Sequence, residues 1–174
     1  MMHGFTMVEL MITVAVAAIL LAIAVPSFHT ITLSSRLSTA SNDVIAAFNT
    51  ARLEAIKLNA RTQLCSDSAS SNSSSTLGSA CGTQAGAVYA LNGSSAVLVR
   101  AASLNVTSPL KLNGGMAALQ FNGEGLATVV GSTTPAQVTI ADICTSDLSS
   151  DNHRVVTITA GYSIQTQKQT GDCP

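Results

Sequence analysis

The first stretch of the chain is almost uninterrupted by polar residues. From Phe5 to Val25 it reads FTMVELMITVAVAAILLAIAV, with Glu9 as its one charge. About 20 apolar residues are enough for a helix to cross a bilayer core, so this segment is expected to lie in a membrane. Behind Pro26 the pattern changes at once. Residues 27–60 mix polar and apolar side chains and contain neither Gly nor Pro, a composition that permits a long helix. Leu37, Val44, Phe48, Ala51, Ala55 and Leu58 fall on one face of such a helix, and Arg36, Asp43, Arg52, Glu54, Lys57 and Arg61 lie mostly off it. One helix is thus expected to change partner midway: lipid or sibling helices before Pro26, a folded domain after it. Some ~55 helical residues would be about 80 Å long at ~1.5 Å per residue. Pro26 lacks an N–H donor and is the expected helix break.

From Thr62 onward the period shortens. Strands are expected at Thr62–Cys65, Gly86–Leu91, Ala96–Ala101, Met116–Phe121, Leu126–Val130, Gln137–Ala141, Arg154–Ala160 and Tyr162–Gln167. Each is short, rich in β-branched residues and bounded by Gly, Asn, Ser or Pro. Asn92-Gly93-Ser94-Ser95 and Asn122-Gly123-Glu124-Gly125 have the composition of hairpin turns. Ser66 to Ser79 is a low-complexity, Ser-rich stretch, expected to be a mobile, solvent-facing loop. The fold class is therefore α+β: a long N-terminal helix, half membrane-spanning and half amphipathic, packed on a C-terminal antiparallel β-sheet domain.

Composition sharpens this picture. Hydrophobic residues make up 47% of the chain but aromatics only 3%, and charged residues only 10%, against the ~25% charge usual in soluble domains. The formal net charge of −1 argues against a globally basic nucleic-acid binder. Four cysteines, Cys65, Cys81, Cys144 and Cys173, make an even count behind an export-type N-terminus. Disulfides and an oxidising compartment are the expectation. Of the three possible connectivities, the nearest-neighbour one would close the Ser-rich loop through Cys65 and Cys81 and tie the tail through Cys144 and Cys173. CxxC spacing is absent and no His lies near a Cys in sequence, so no zinc or other metal site is expected.

An ordinary secretory signal places its small cleavage residue after the apolar run. Here Gly4 stands before it, so a cut at that point would leave the hydrophobic segment on the mature chain. The string Gly4-Phe5-Thr6-Met7-Val8-Glu9-Leu10 closely resembles the prepilin motif of type IV pilins and type II secretion pseudopilins. The resemblance implies cleavage by a prepilin peptidase between Gly4 and Phe5 and N-methylation of Phe5. It makes Glu9 the acidic assembly residue, paired with the Phe5 amine of a neighbouring subunit. Leaders in that family are usually basic, whereas Met1-Met2-His3-Gly4 has no Lys or Arg, a departure that points to a start codon upstream. On this reading residues 1–4 are the leader, 5–25 the transmembrane half of the helix, 26–61 its amphipathic half and 62–174 the β-rich domain.

The later sequence narrows the branch. Met116-Ala117-Ala118-Leu119-Gln120-Phe121-Asn122-Gly123-Glu124-Gly125, Cys81 followed by Gly86-Ala87-Val88-Tyr89, and His153-Arg154-Val155-Val156-Thr157-Ile158 followed by Gly161 resemble elements of the GspH/FimT-type domain. A Trp common before the second of these is absent. The implied role is a minor pilin, a structural subunit of a type IV pilus at the tip or in assembly priming, serving adhesion, twitching motility and pilus biogenesis. An H-type pseudopilin of type II secretion and a DNA-binding minor pilin for natural transformation are the alternatives. Implied partners are other pilins or pseudopilins through the N-terminal helix, the prepilin peptidase and the inner membrane. The globular domain would be periplasmic before it reaches a pilus or pseudopilus.

Other chemistry finds little support. Ser-His-Asp order, a Walker loop and paired carboxylates do not stand out, so neither an enzyme nor a cofactor is expected. His153 near Asp151 is the best candidate base. Gly123-x-Gly125 is too short for a dinucleotide fingerprint. Some FimT-type pilins that take up DNA carry Gly-Arg-x-Arg near the C-terminus. The matching positions here are Gly161-Tyr162-Ser163-Ile164, without either arginine. Arg154 and Lys168 would leave a weak basic patch and Tyr162 a stacking surface, so DNA is not an expected partner.

Overall fold

In a computed structural model of the chain, which describes residues 5–73, 75–102, 104 and 106–174, one helix dominates. Helix α1 spans Met7–Leu58. Thr6 caps its start, and Asn59 ends it in the left-handed conformation, returning its N–H to the carbonyls of Ala55 and Ile56. The helix continues through Pro26, so the expected break at that residue is not present. Proline costs one backbone bond, and the turns on either side still carry their own.

Burial of α1 begins abruptly at Leu33. Leu33, Leu37, Ala40, Val44, Ala47, Phe48, Ala51 and Ala55 form its inward stripe, at the three-and-four spacing that an amphipathic helix needs. Alanine at four of these positions lets the strands come close. Leu58, expected on the buried face, is 48% exposed: it is the last residue of the helix and lines an open depression with Ala90, Leu91, Val97 and Val99.

The strands are β1 (Thr62–Leu64), β2 (Val88–Asn92), β3 (Ser95–Arg100), β4 (Lys111–Leu112), β5 (Leu119–Phe121), β6 (Ala127–Val129), β7 (Val138–Cys144), β8 (His153–Thr159) and β9 (Ser163–Gln169). They form two antiparallel sheets, ordered β3-β2-β1-β5-β6 and β4-β7-β8-β9. The α1 helix packs against both. Alternation decides which side chains meet it. Leu64, Val88, Leu119 and Phe121 point inward from the first sheet, and Ile140, Ile143, Val156 and Ile158 come from the second. Phe48 meets Phe121 edge to face, with ring centroids 5.1 Å apart. The Thr62 hydroxyl, buried beside them, donates to the Ala51 carbonyl at 2.7 Å.

Gly161 locks the two sheets together. It adopts φ +77°, and a Cβ there would meet Leu126 Cδ1 and the Ala127 carbonyl at 2.7 and 2.8 Å. Its N–H donates to Ala136 O and its carbonyl accepts from Ala127 N, each at 2.9 Å. The turns at Gly93 and at Asn122–Gly125 join β2 to β3 and β5 to β6, as the pattern predicts.

The Ser-rich stretch departs from expectation. Within it lie two short helices, α2 (Ala69–Asn72) and α3 (Thr76–Cys81), seated on the face of the first sheet that points away from α1. Asn72, Leu77 and Gly78 are buried. Strand β4 is also unanticipated. Two residues are too few to show a period of two, and Lys111 and Leu112 are in a strand because they pair with Cys144 and Ile143.

Candidate assembly site at the start of the long helix

At the N-terminal end of α1, Thr6 Oγ1 accepts the Glu9 N–H at 3.2 Å. Thr6 and Glu9 are spaced as a capping box, Ser/Thr-x-x-Glu, a helix-start signal legible in the sequence itself. The carboxylate of Glu9 makes no hydrogen bond or ion pair among the described residues. It is left free, one turn into an apolar helix, beside a helix N-terminus that favours negative charge.

All residues from Phe5 to Val25 are exposed. From Leu10 on, their backbone N–H groups are satisfied along the helix, beginning with the bond from Leu10 N to Thr6 O at 3.1 Å, as a lipid environment requires. The Thr13 hydroxyl is satisfied too, donating to Leu10 O at 2.9 Å. The helix stays exposed through Thr32, apart from Pro26, whose side chain is not described. Gly4, the expected cleavage residue, lies outside the described residues, as do Met1, Met2 and His3.

The remaining residues singled out by sequence fall elsewhere. Cys65 is bonded to Cys81 and Cys144 to Cys173. The first bond closes the segment carrying α2 and α3. The second pins the tail to the end of β7, where Asn152 Nδ2 also donates to Gly171 O at 2.8 Å and Asn152 Oδ1 accepts from Gly171 N at 3.0 Å.

His153 does not join Asp151. Its Nδ1 lies 2.9 Å from Asp142 Oδ1 on the neighbouring strand, because register places residue 142 beside this part of β8. Asn113 Nδ2 donates to the same carboxylate at 2.8 Å. The His153 ring is 5% exposed, under the tail, and so is closed to any substrate.

Arg154 does not form a surface patch. It is 2% exposed and points towards α1. Its guanidinium donates to the carbonyls of Asp151 and His153 at 2.7 and 3.0 Å and to Ser34 Oγ at 3.0 Å. Burial pulls its pKa below the usual arginine value, and the Asp151 charge opposes that pull. Tyr162 is 57% exposed, and Lys168 is exposed on β9. Among the described residues, no group of three or more His, Cys, Asp and Glu side chains is placed to hold a metal ion.

Comparison with known proteins returned two family matches. The family described as "Type II transport protein GspH" matches residues 40–161, and the "Prokaryotic N-terminal methylation motif" matches residues 1–25. No curated protein matches. Among solved structures, the type IV minor pilin FimU of Pseudomonas aeruginosa aligns with 19% identity over 76% of this chain and 89% of its own, with a TM-score of 0.48.

Proposed function

We propose that this chain, which belongs to the GspH family, is a minor pilin: a structural subunit of a type IV pilus that joins other pilins through α1. Before assembly it would sit in the inner membrane with its globular domain on the periplasmic side. The observation that carries the reading is the division of α1. Residues 5–25 are apolar and wholly exposed, while the same helix from Leu33 to Ala55 is built into the domain core. An apolar surface of that extent has to be covered by lipid or by other helices. Since it is continuous with the core helix, covering it with sibling helices would fix the domain rigidly in a polymer.

Glu9 gives that polymer its register. A carboxylate among apolar helices is costly unless paired, and Glu9 has no partner among the described residues of its own chain. After a prepilin peptidase cut between Gly4 and Phe5, the methylated Phe5 amine of a neighbour supplies the counter-charge.

The assay is the amount of this chain in sheared filaments relative to the membrane pool. Glu9→Ala and Glu9→Gln should both be processed and folded yet be depleted from filaments. Wild-type incorporation of both would refute the assembly role of Glu9. The family's description favours a second reading, a type II secretion pseudopilin with the same processing and the same helix. Deletion that blocks protein secretion and leaves surface pili intact would select it. DNA uptake gains no support, because the arginine positions hold Tyr162 and Ile164 and Arg154 is buried.

A further inference from the structure

On the face of the first sheet that points away from α1, near the C-terminal end of that helix, lies an open depression of about 370 Å³. Its place follows from alternation along β1. Thr62 faces α1 and bonds to it. Gln63 therefore faces the other way, where its Nε2 donates to the Asn72 carbonyl of α2 at 3.0 Å. Gln120 pairs with Gln63 across the strands and shares that outer face. Next to Gln120 the depression is walled by Arg61, by Ser75 and Thr76 at the start of α3, and by Ser94 at the tip of the β2–β3 turn.

Among the described residues, Arg61 is the only charged one in the lining. Its side chain makes no hydrogen bond or ion pair among the described residues. By contrast, Lys57 is paired with Glu54, Arg36 donates to Thr107, and Arg154 donates to Asp151 O, His153 O and Ser34 Oγ. A free guanidinium fork in a concave site matches a carboxylate, which it holds with two parallel bonds. Around it stand three hydroxyls and an amide. Thr76, Ser94 and Gln120 carry groups that both donate and accept, as the hydroxyls of a sugar ring require, while the Ser75 hydroxyl already accepts from Gly78 N and the Ser73 hydroxyl and has its proton to offer. Leu91, half-buried, offers apolar surface for the C–H face of such a ring, with Leu77 buried behind it. The volume lies at the small end of ligand sites, which run from ~300 to ~1,000 Å³. A polyanion such as nucleic acid would call for several cations along a track, and here there is one.

We propose that this depression is a binding site for an acidic monosaccharide unit, a uronate whose carboxylate is held by Arg61 and whose ring hydroxyls meet Ser75, Thr76, Ser94 and Gln120. The site lies ~50 Å along α1 from the end of the apolar segment, at ~1.5 Å per residue. It also faces away from α1, the helix that the proposed filament would cover. It does not depend on the filament reading, because binding is measured on the unassembled chain.

The test uses the full chain in detergent, with galacturonate as ligand and ligand-observed saturation-transfer NMR plus calorimetry as readouts. Galacturonate should bind at least tenfold more tightly than galactose. Arg61→Ala should weaken it at least tenfold, Gln120→Ala should weaken it less, and both variants should unfold at the wild-type temperature. Absence of galacturonate binding would overturn the proposal, as would equal binding of galactose. Undiminished binding by Arg61→Ala would place any sugar elsewhere and equally overturn it. Competition by acetate as effective as that by galacturonate would reduce the depression to a plain anion site, against the proposal.

Discussion

The side chain of Asn72 is completely buried. Its carbonyl oxygen accepts the Ser66 N–H at 2.8 Å and its amide donates to Ser66 O and Gly82 O, each at 3.0 Å. Beside it, a Cβ on Gly78 would collide with the backbone carbonyls of Asn72 and Ser73. These two residues hold the α2–α3 layer on the sheet. Asn72→Ala strands a buried N–H and buried carbonyls and should cost about 2–4 kcal/mol. Gly78→Ala should also destabilise, because only backbone movement could relieve the clash. Denaturant unfolding of the detergent-solubilised chain, with both disulfides intact, would measure both. Stability within ~0.5 kcal/mol of wild type would mean that this layer is not part of the cooperative core. Arg154 teaches the same lesson for charge. In the sequence it is a cation on a strand, and in the structure it is a buried bridge from β8 to Ser34 of α1.

Among the elements, β9 depends most on covalent help. It is the edge strand of its sheet, and residues 165–169 are all exposed. Backbone pairing with β8 holds its body. Past its end, the tail is held by the Cys144–Cys173 bond, which closes a sequence separation of 29 residues, and by the Asn152–Gly171 hydrogen bonds. Replacing both cysteines by serine should lower stability by roughly 2–4 kcal/mol. Amide exchange should accelerate in 163–171 while α2 and α3, closed by the other disulfide, keep their protection. Uniform acceleration across the domain would show instead that the bond stabilises the whole fold rather than its edge.

At the scale of the molecule, α1 is 52 residues long, about 78 Å at ~1.5 Å per residue, and the globular domain occupies only its second half. On the proposed reading, maturation would act on the other end. Mass spectrometry of membrane-extracted protein should find an N-terminal methylated Phe5, and Gly4→Ala should accumulate uncut. An unprocessed N-terminus in cells with an active prepilin peptidase would contradict this. The two halves of the helix would thus have separable requirements: on the proposed reading the first must be apolar and correctly cut, while the second packs into the domain core.

The chain's pattern alone determined the long helix, its exposed apolar half and its packed half, and most of the strands. These rest on local quantities: the length of an apolar run, a 3.6-residue stripe, a period of two, and turn residues that favour a tight reversal. Tertiary structure decided whatever depended on partners distant in sequence. A serine-rich run became helical because Asn72 and Leu77 found a sheet to cover. Leu58, the last residue of α1, stayed half exposed because it borders an open depression beside β2 and β3. His153 met Asp142 and not Asp151 because strand register, not sequence adjacency, sets which side chains touch. Arg154 was buried because its strand face turned to α1, some 120 residues away in sequence at Ser34. Burial and hydrogen-bond satisfaction are properties of the assembled layers, and no window along the chain contains them.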